Sequence, residues 1–243
     1  AGEVAVTLGG DGLVGCVAGA LRDVPGSVLG VLPGGRGNDL ARMLGIPREP
    51  RAACAVLAHG VERELDLGDV EGRSFIAIAS LGFDSDATRI ANAAPAWLGQ
   101  ASYPYAALRA LVGWRTARFA LTLDHEARTF SGYSVAAANC GSYGGGMLLA
   151  PGAEPDDGLL DVVVIEDLPK RRFLANLPKV FRGTHVDEPQ VHVLRSRAVR
   201  VETDRPFVVY GDGEPIGRTP VTIRAVPGAV RVLVPAPASE EPT

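Results

Sequence analysis

The sequence predicts an α/β block followed by a second, mainly antiparallel β block, and two observations carry that prediction. Within residues 1–60, two apolar runs each end in a glycine-rich loop that opens a helical pattern. From Val61 onward the pattern changes to strand-like segments separated mostly by Gly, Pro, Asn or Asp.

Val4–Leu8 is apolar and ends in Gly9-Gly10-Asp11-Gly12, after which a helix is predicted over Leu13–Arg22. Val28–Leu32 ends in Pro33-Gly34-Gly35-Arg36-Gly37-Asn38-Asp39, with a helix over Asn38–Leu44. Each apolar run reads as a buried parallel strand. Gly45 and Pro47 stop the second helix, and Pro50–His59 reads as a third, bounded by Gly60. Strands are then predicted at 61–67, 73–80, 117–123, 127–138, 160–165, 190–202, 207–210, 219–224 and 229–234. Helical patterns interrupt them at about 84–93, 100–115 and 169–182. The Pro-, Ala-, Ser- and Glu-rich tail Pro235–Thr243 reads as disordered.

The two loops carry the chemistry. A glycine-rich turn between a strand and a helix N-terminus presents backbone N–H groups, and the helix dipole favours an anion there. Loops from neighbouring parallel strands face one crevice at the carboxyl edge of the sheet. Gly9, Gly10, Gly12 and Gly15 let backbone approach phosphates on one wall; Gly34, Gly35 and Gly37 form the other. Asp11 and Asp39 would repel phosphates unless a divalent cation lay between, so Mg²⁺ is implied. Either loop taken alone is equally well read as a plain turn, and Asp39 also suits the first turn of its own helix.

Composition excludes several classes. The formal net charge of −4 argues against bulk nucleic-acid binding. Cys16, Cys54 and Cys140 lack metal-ligand spacing and read as reduced, mostly buried thiols of a cytoplasmic protein. His59, His125, His185 and His192 form no cluster, and no apolar run approaches the length of a membrane span.

The paired loops, with Gly37-Asn38-Asp39-Leu40-Ala41-Arg42, resemble the diacylglycerol kinase catalytic family, the soluble lipid kinases that include bacterial diacylglycerol kinases and sphingosine kinases. The resemblance continues through Glu64–Gly68, Phe75–Asp84, Asn139 with Gly144–Gly146 and Pro151, Asp156–Asp161, and Gly211-Asp212-Gly213-Glu214. It implies a partial nucleotide-binding α/β domain over 1–60, a β-sandwich over 61–234, and an active site in the cleft between them. It also implies a further α/β segment before Ala1; a fragment of a longer protein is expected in preference to a divergent protein with a reduced nucleotide domain, since Val4–Leu8 reads as a central strand that would otherwise be left as an open edge. The implied activity is an ATP- and Mg²⁺-dependent transfer of the γ-phosphate to diacylglycerol or a related lipid alcohol.

The resemblance assigns the general-base role to Glu214, with Asp212 orienting it and Asp11 beside the metal and γ-phosphate. In an extended strand the Asp212 and Glu214 carboxylates would share a face, although a solvent-facing hairpin tip also explains them. Glu154, Asp157 and the Leu159 carbonyl correspond to a second, structural Mg²⁺ site, or else form an acidic turn. Arg36 stands where the family has threonine and Leu13 where it commonly has another; a guanidinium at 36 would clamp a phosphate instead. The expected partners are ATP and a membrane lipid, with peripheral contact at the inner membrane face; the sequence allows a homodimer. Helix 169–182, with Lys170, Arg171, Arg172, Lys179 and Arg182 beside apolar residues, reads as a lipid-facing surface or a plain solvated helix. Trp97, Tyr103, Tyr105 and Trp114 read equally as an acyl-chain entry or as core. Two competing functions remain: an NAD kinase-like enzyme, and a non-catalytic lipid- or nucleotide-binding homologue.

Overall fold

A computed structural model describes residues 3–35 and 37–237. The chain opens with β1 (Val4–Gly9), α1 (Asp11–Leu21), β2 (Val28–Pro33), α2 (Asp39–Met43) and α3 (Pro50–His59). β1 and β2 pair in parallel, as the two apolar runs predict. Only β2 is buried, however. Among the described residues β1 pairs β2 alone, and Val4, Val6 and Leu8 on one face are 47%, 52% and 71% exposed.

Next come β3 (Val61–Val70), β4 (Arg73–Phe75), β5 (Ile78–Gly82), α4 (Phe83–Asn92), α5 (Ser102–Gly113), β6 (Ala117–Leu123), β7 (Glu126–Ala138) and β8 (Leu160–Glu166). The chain continues through α6 (Lys170–Val180), β9 (Val191–Ser196), β10 (Ala198–Thr203), β11 (Val208–Gly211), β12 (Glu214–Arg218) and β13 (Val221–Val234). Several expected strands change. Segment 73–80 divides at Ile76-Ala77 into β4 and β5, and 190–202 divides into β9, which pairs β8, and β10, which pairs β6 and β13. Segments 219–224 and 229–234 are one strand, β13, interrupted by a bulge between Val226 and Val230. Pro227 and Gly228 sit in that bulge, where neither disrupts regular pairing. β12 was not foreseen.

β13 is the spine of the molecule. One edge pairs antiparallel with β3 almost from end to end; the other pairs with β10 first and, at Val232↔Leu29, parallel with β2. The α/β part and the sandwich therefore share one sheet. Strand alternation divides the interior into two cores. Val135 and Ala137 of β7, with Val162 and Val164 of β8, face the aromatic core of Phe83, Trp114, Phe119, Tyr133 and Phe173. Ala136, Ala138 and Val163 face the opposite core, beneath Val14, Ala18, Leu40 and Leu44. Of the cysteines, Cys140 is buried, but Cys16 and Cys54 are exposed, correcting the expectation of mostly buried thiols. Residues 235–237 are irregular, and the rest of the expected disordered tail lies outside the described residues.

Candidate active site

The two glycine loops meet backbone to backbone. Gly34 N–H donates to the Gly9 carbonyl at 2.9 Å, and a Cβ on Gly35 would stand 2.3 Å from the Gly10 Cα. Glycine at Gly10 and Gly35 is required by this mutual approach before any ligand is considered. Gly35→Ala is expected to force the loops apart and to lower both the melting temperature and nucleotide binding; an unshifted melting curve would show that the loops do not depend on this contact.

Asn38 templates the second loop. Its backbone is left-handed, and its amide makes a closed pair with Gly35: Oδ1 accepts from the Gly35 N–H and Nδ2 donates to the Gly35 carbonyl, both at 2.7 Å. The Asn38 side chain is therefore spent on loop shape. Asp39 is buried and likewise engaged, accepting from Arg42 at 2.5 Å and from the Gly145 N–H at 2.7 Å. Asp11 lies at the start of α1 and reaches across to accept from the Leu40 N–H at 3.0 Å. A Cβ at Gly37 would stand 2.9 Å from one carboxylate oxygen of Asp11 and of Asp39, so both acids flank an empty cradle. Negative oxygens over a space kept free of side chain suit a hard divalent cation that retains water. Arg36 lies outside the described residues.

Asp212 and Glu214 do not lie in one extended strand. Asp212 and Gly213 have φ of +49° and +90°, a two-residue turn joining β11 to β12, and both acids line one cavity. The Asp212 carboxylate points inward and accepts from the backbone N–H groups of Ile76, Ala77 and Ile78 at 2.7, 2.9 and 3.2 Å. It packs so closely on α1 that a Cβ at Gly15 would lie 2.5 Å from its Oδ2. Burial pushes its carboxyl up to about 6, against the pull of the three N–H donors. Asp212 thus pins the β4–β5 break, α1 and the hairpin together. Glu214 is exposed, and it lines the same cavity as Asp11 and Asp39.

That cavity, about 450 Å³, begins at Gly10, Asp11, Gly12 and Gly37 and extends between α4, α5 and α6. Its far wall is largely apolar, including Phe83, Ala87, Ala106, Ala107, Leu177 and Phe181. Tyr143 and Tyr210 also line it. The sequence reading missed Asp84, which lines the cavity from the first turn of α4. Burial raises its carboxyl to about 6, opposed by the Ser134 hydroxyl. A carboxyl whose folded-state value is raised stabilises the fold below its unfolded value and loses that contribution as pH rises through the folded value. Unfolding free energy is expected to decline between about pH 4 and pH 6, with a shallower slope in Asp84→Asn; denaturant titrations across that range, with identical slopes for both proteins, would remove this assignment.

At the acidic turn of Glu154, Asp157 and Leu159, a guanidinium stands beside the carboxylates. Asp157 is ion-paired with Arg195 and accepts from the Leu159 N–H at 2.9 Å; Arg195 also lies 3.8 Å from buried Asp161. Burial raises the Asp161 carboxyl, and Arg195 acts against it. Among the described residues, no group of three His, Cys, Asp or Glu side chains is arranged for a metal ion. Asp66 holds this turn to the β13 bulge, accepting from Gly158 N–H at 2.6 Å and Gly228 N–H at 2.8 Å.

Residues 2–70 match the diacylglycerol kinase catalytic domain, and residues 77–234 match the YegS C-terminal NAD kinase beta sandwich-like domain. The chain belongs to the diacylglycerol kinase catalytic family. A diacylglycerol kinase of Mycobacterium tuberculosis (strain CDC 1551 / Oshkosh) is 35% identical over 243 residues, spanning 96% of this chain and 77% of the relative. One from Bacillus subtilis (strain 168) is 28% identical over 247 residues, spanning 98% and 80%. The solved structure of a diacylglycerol kinase from Bacillus anthracis str. Sterne shares the fold, with a TM-score of 0.75 at 21% identity over 97% of this chain and 77% of that one. The protein is a lipid kinase. Among its described residues, no helix is long and apolar enough to cross a membrane.

Proposed function

We propose that this lipid kinase transfers the γ-phosphate of ATP to the hydroxyl of diacylglycerol or a related lipid alcohol. The observation that carries the reading is the single cavity with a phosphate-type loop pair at one end and an apolar wall at the other. One site of that shape suits a substrate with a polar reacting group and a hydrocarbon body. The first-turn N–H groups of α1 and the backbone of Gly34, Gly35 and Gly37 would hold the phosphates, and Asp11, Asp39 flanking it, would hold the Mg²⁺. Bound ATP–Mg²⁺ supplies an electrophilic phosphorus and neutralises charge in transfer. Glu214 on the cavity wall takes the proton from the lipid hydroxyl, while the apolar wall orients the lipid and excludes water.

The test is transfer of labelled γ-phosphate into a panel of lipid alcohols, with NAD as an alternative acceptor and with Mg²⁺ omitted in parallel. Label in lipid only when Mg²⁺ is present is expected. Label in NAD alone, or none in any acceptor, overturns the reading.

The same reading extends to the bilayer. Trp97 and Val112 are 83% exposed, and Tyr105, Leu108 and Val112 form a stripe on α5 at helical spacing. With Arg89 and Arg109 they line a shallow groove between α4 and α5, and Lys170 donates to the Val112 carbonyl at 3.1 Å. Apolar residues beside cations suit anionic headgroups. On α6, Phe173 is buried and Lys179 pairs with Glu188, so that helix is partly committed to packing. Of the aromatics expected at 97–114, Trp114 belongs to the core and Trp97 and Tyr105 face outward; the Tyr103 side chain lies outside the described residues. Leu108→Glu with Val112→Glu is expected to slow transfer to vesicle-embedded lipid several-fold, while transfer to a short-chain soluble analogue is unchanged. Equal slowing on both acceptors would count against a membrane role.

A further inference from the structure

Asp84 is a half-buried acid lining the apolar half of the cavity, and its Oδ2, itself shielded from solvent, has no hydrogen-bond partner. The position is built. Gly82 precedes α4 with φ of +91° and pairs with Ser134, which brings the Ser134 hydroxyl to Asp84. One carboxylate oxygen is left without a donor in a wall otherwise composed mainly of Phe, Ala and Leu side chains. Leaving such an oxygen unsatisfied is costly, and a bound molecule that brings a donor recovers that cost.

The fold also sets how far this oxygen lies from the chemistry. Asn92 donates to the Gly213 carbonyl at 2.8 Å, fixing the C-terminal end of α4 to the hairpin that carries Glu214. Asp84, Thr88 and Asn92 all line the cavity at four-residue spacing, so one face of α4 runs along it. Eight residues at helical rise separate Asp84 from Asn92 by about 12 Å. β5 gives the same scale: the Ile78 carbonyl accepts from Asp212 N–H, and Gly82 lies four strand residues, about 13 Å, further on.

We propose that Asp84 is a specificity-determining residue that accepts a hydrogen bond from a hydroxyl carried on the hydrocarbon chain of the lipid, about 12 Å from the hydroxyl that receives phosphate. This rests on the lipid-alcohol reading above and adds a substrate class to it. The favoured acceptor is a lipid alcohol with a hydroxylated chain, and a plain saturated chain leaves Asp84 without a partner. The preference falls on binding, because Asp84 is remote from the reacting oxygen.

The test uses the full-length protein and diacylglycerols in which one acyl chain carries a single hydroxyl moved carbon by carbon. The unsubstituted lipid is the reference, and both lipid binding without ATP and phosphate transfer are read. One hydroxyl position is expected to bind about ten-fold or more tighter than the reference, the size of a hydrogen bond to a charged group. The gain should appear in KM with kcat nearly constant. Asp84→Leu should abolish the preference and bind the unsubstituted lipid more tightly. Asp84→Asn, which keeps the shape, should shift the preference toward a keto group at that same position, because its amide donates. A flat profile in the wild-type protein, or a peak that survives in Asp84→Leu, overturns the proposal. Failure of transfer to every lipid would sink the kinase chemistry alone, because the binding profile still reads Asp84.

Discussion

Glu214→Gln is expected to lower kcat by roughly two to four orders of magnitude, the usual contribution of a positioned general base. The substitution keeps the shape of the side chain and removes its ability to take a proton. Glu214 is exposed at the first position of β12, so the fold should tolerate the change, and the melting temperature should not move. ATP affinity should also hold, because Glu214 acts on the lipid hydroxyl and not on the phosphates. Steady-state kinetics with a separate ATP-binding titration check this. A kcat within a few-fold of wild type would remove Glu214 from the chemistry.

Asp212→Asn should behave differently, losing stability and activity together. Three backbone N–H groups converge on one carboxylate, and an amide would present its own NH₂ to at least one of them. Each buried donor left unmatched costs roughly 1–3 kcal/mol. For a chain of this size, each kcal/mol lowers the melting temperature by about 2–4 °C. Gly15→Ala should have a similar effect from the opposite side, because its Cβ would strike the Asp212 carboxylate. Thermal unfolding of the two variants checks the prediction. An Asp212→Asn protein with wild-type stability and reduced turnover would mean that Asp212 orients the base and does not hold the site together.

The parts of the site legible in sequence are those dictated by local chemistry. Gly-Gly-Asp-Gly and Pro-Gly-Gly-Arg-Gly-Asn-Asp signal strand–loop–helix turns, and both loops form where those residues stand. Asp212-Gly213 was legible as a hairpin turn of the type that needs positive φ at both positions, yet the extended reading placed two carboxylates on one face. What escaped the sequence depends on distant partners. Asp84 looks like any acid in the first turn of a helix, and only the packing around the cavity shields its Oδ2 from solvent. Likewise β9 brings Arg195 to Asp157 from 38 residues away, a pairing that local spacing does not announce.

β13 carries a consequence for the order in which the protein is made. β2 and β3, from the first seventy residues, both pair with a strand that is synthesised near the end of the chain. At about 5–20 residues per second, a ribosome needs roughly ten to thirty seconds to go from residue 70 to residue 234. During that interval Leu29, Val31, Leu65 and Leu67, all buried in the finished protein, lack the strand that covers and joins them. The nucleotide loops therefore take their final spacing only after β13 has paired with β2 and β3.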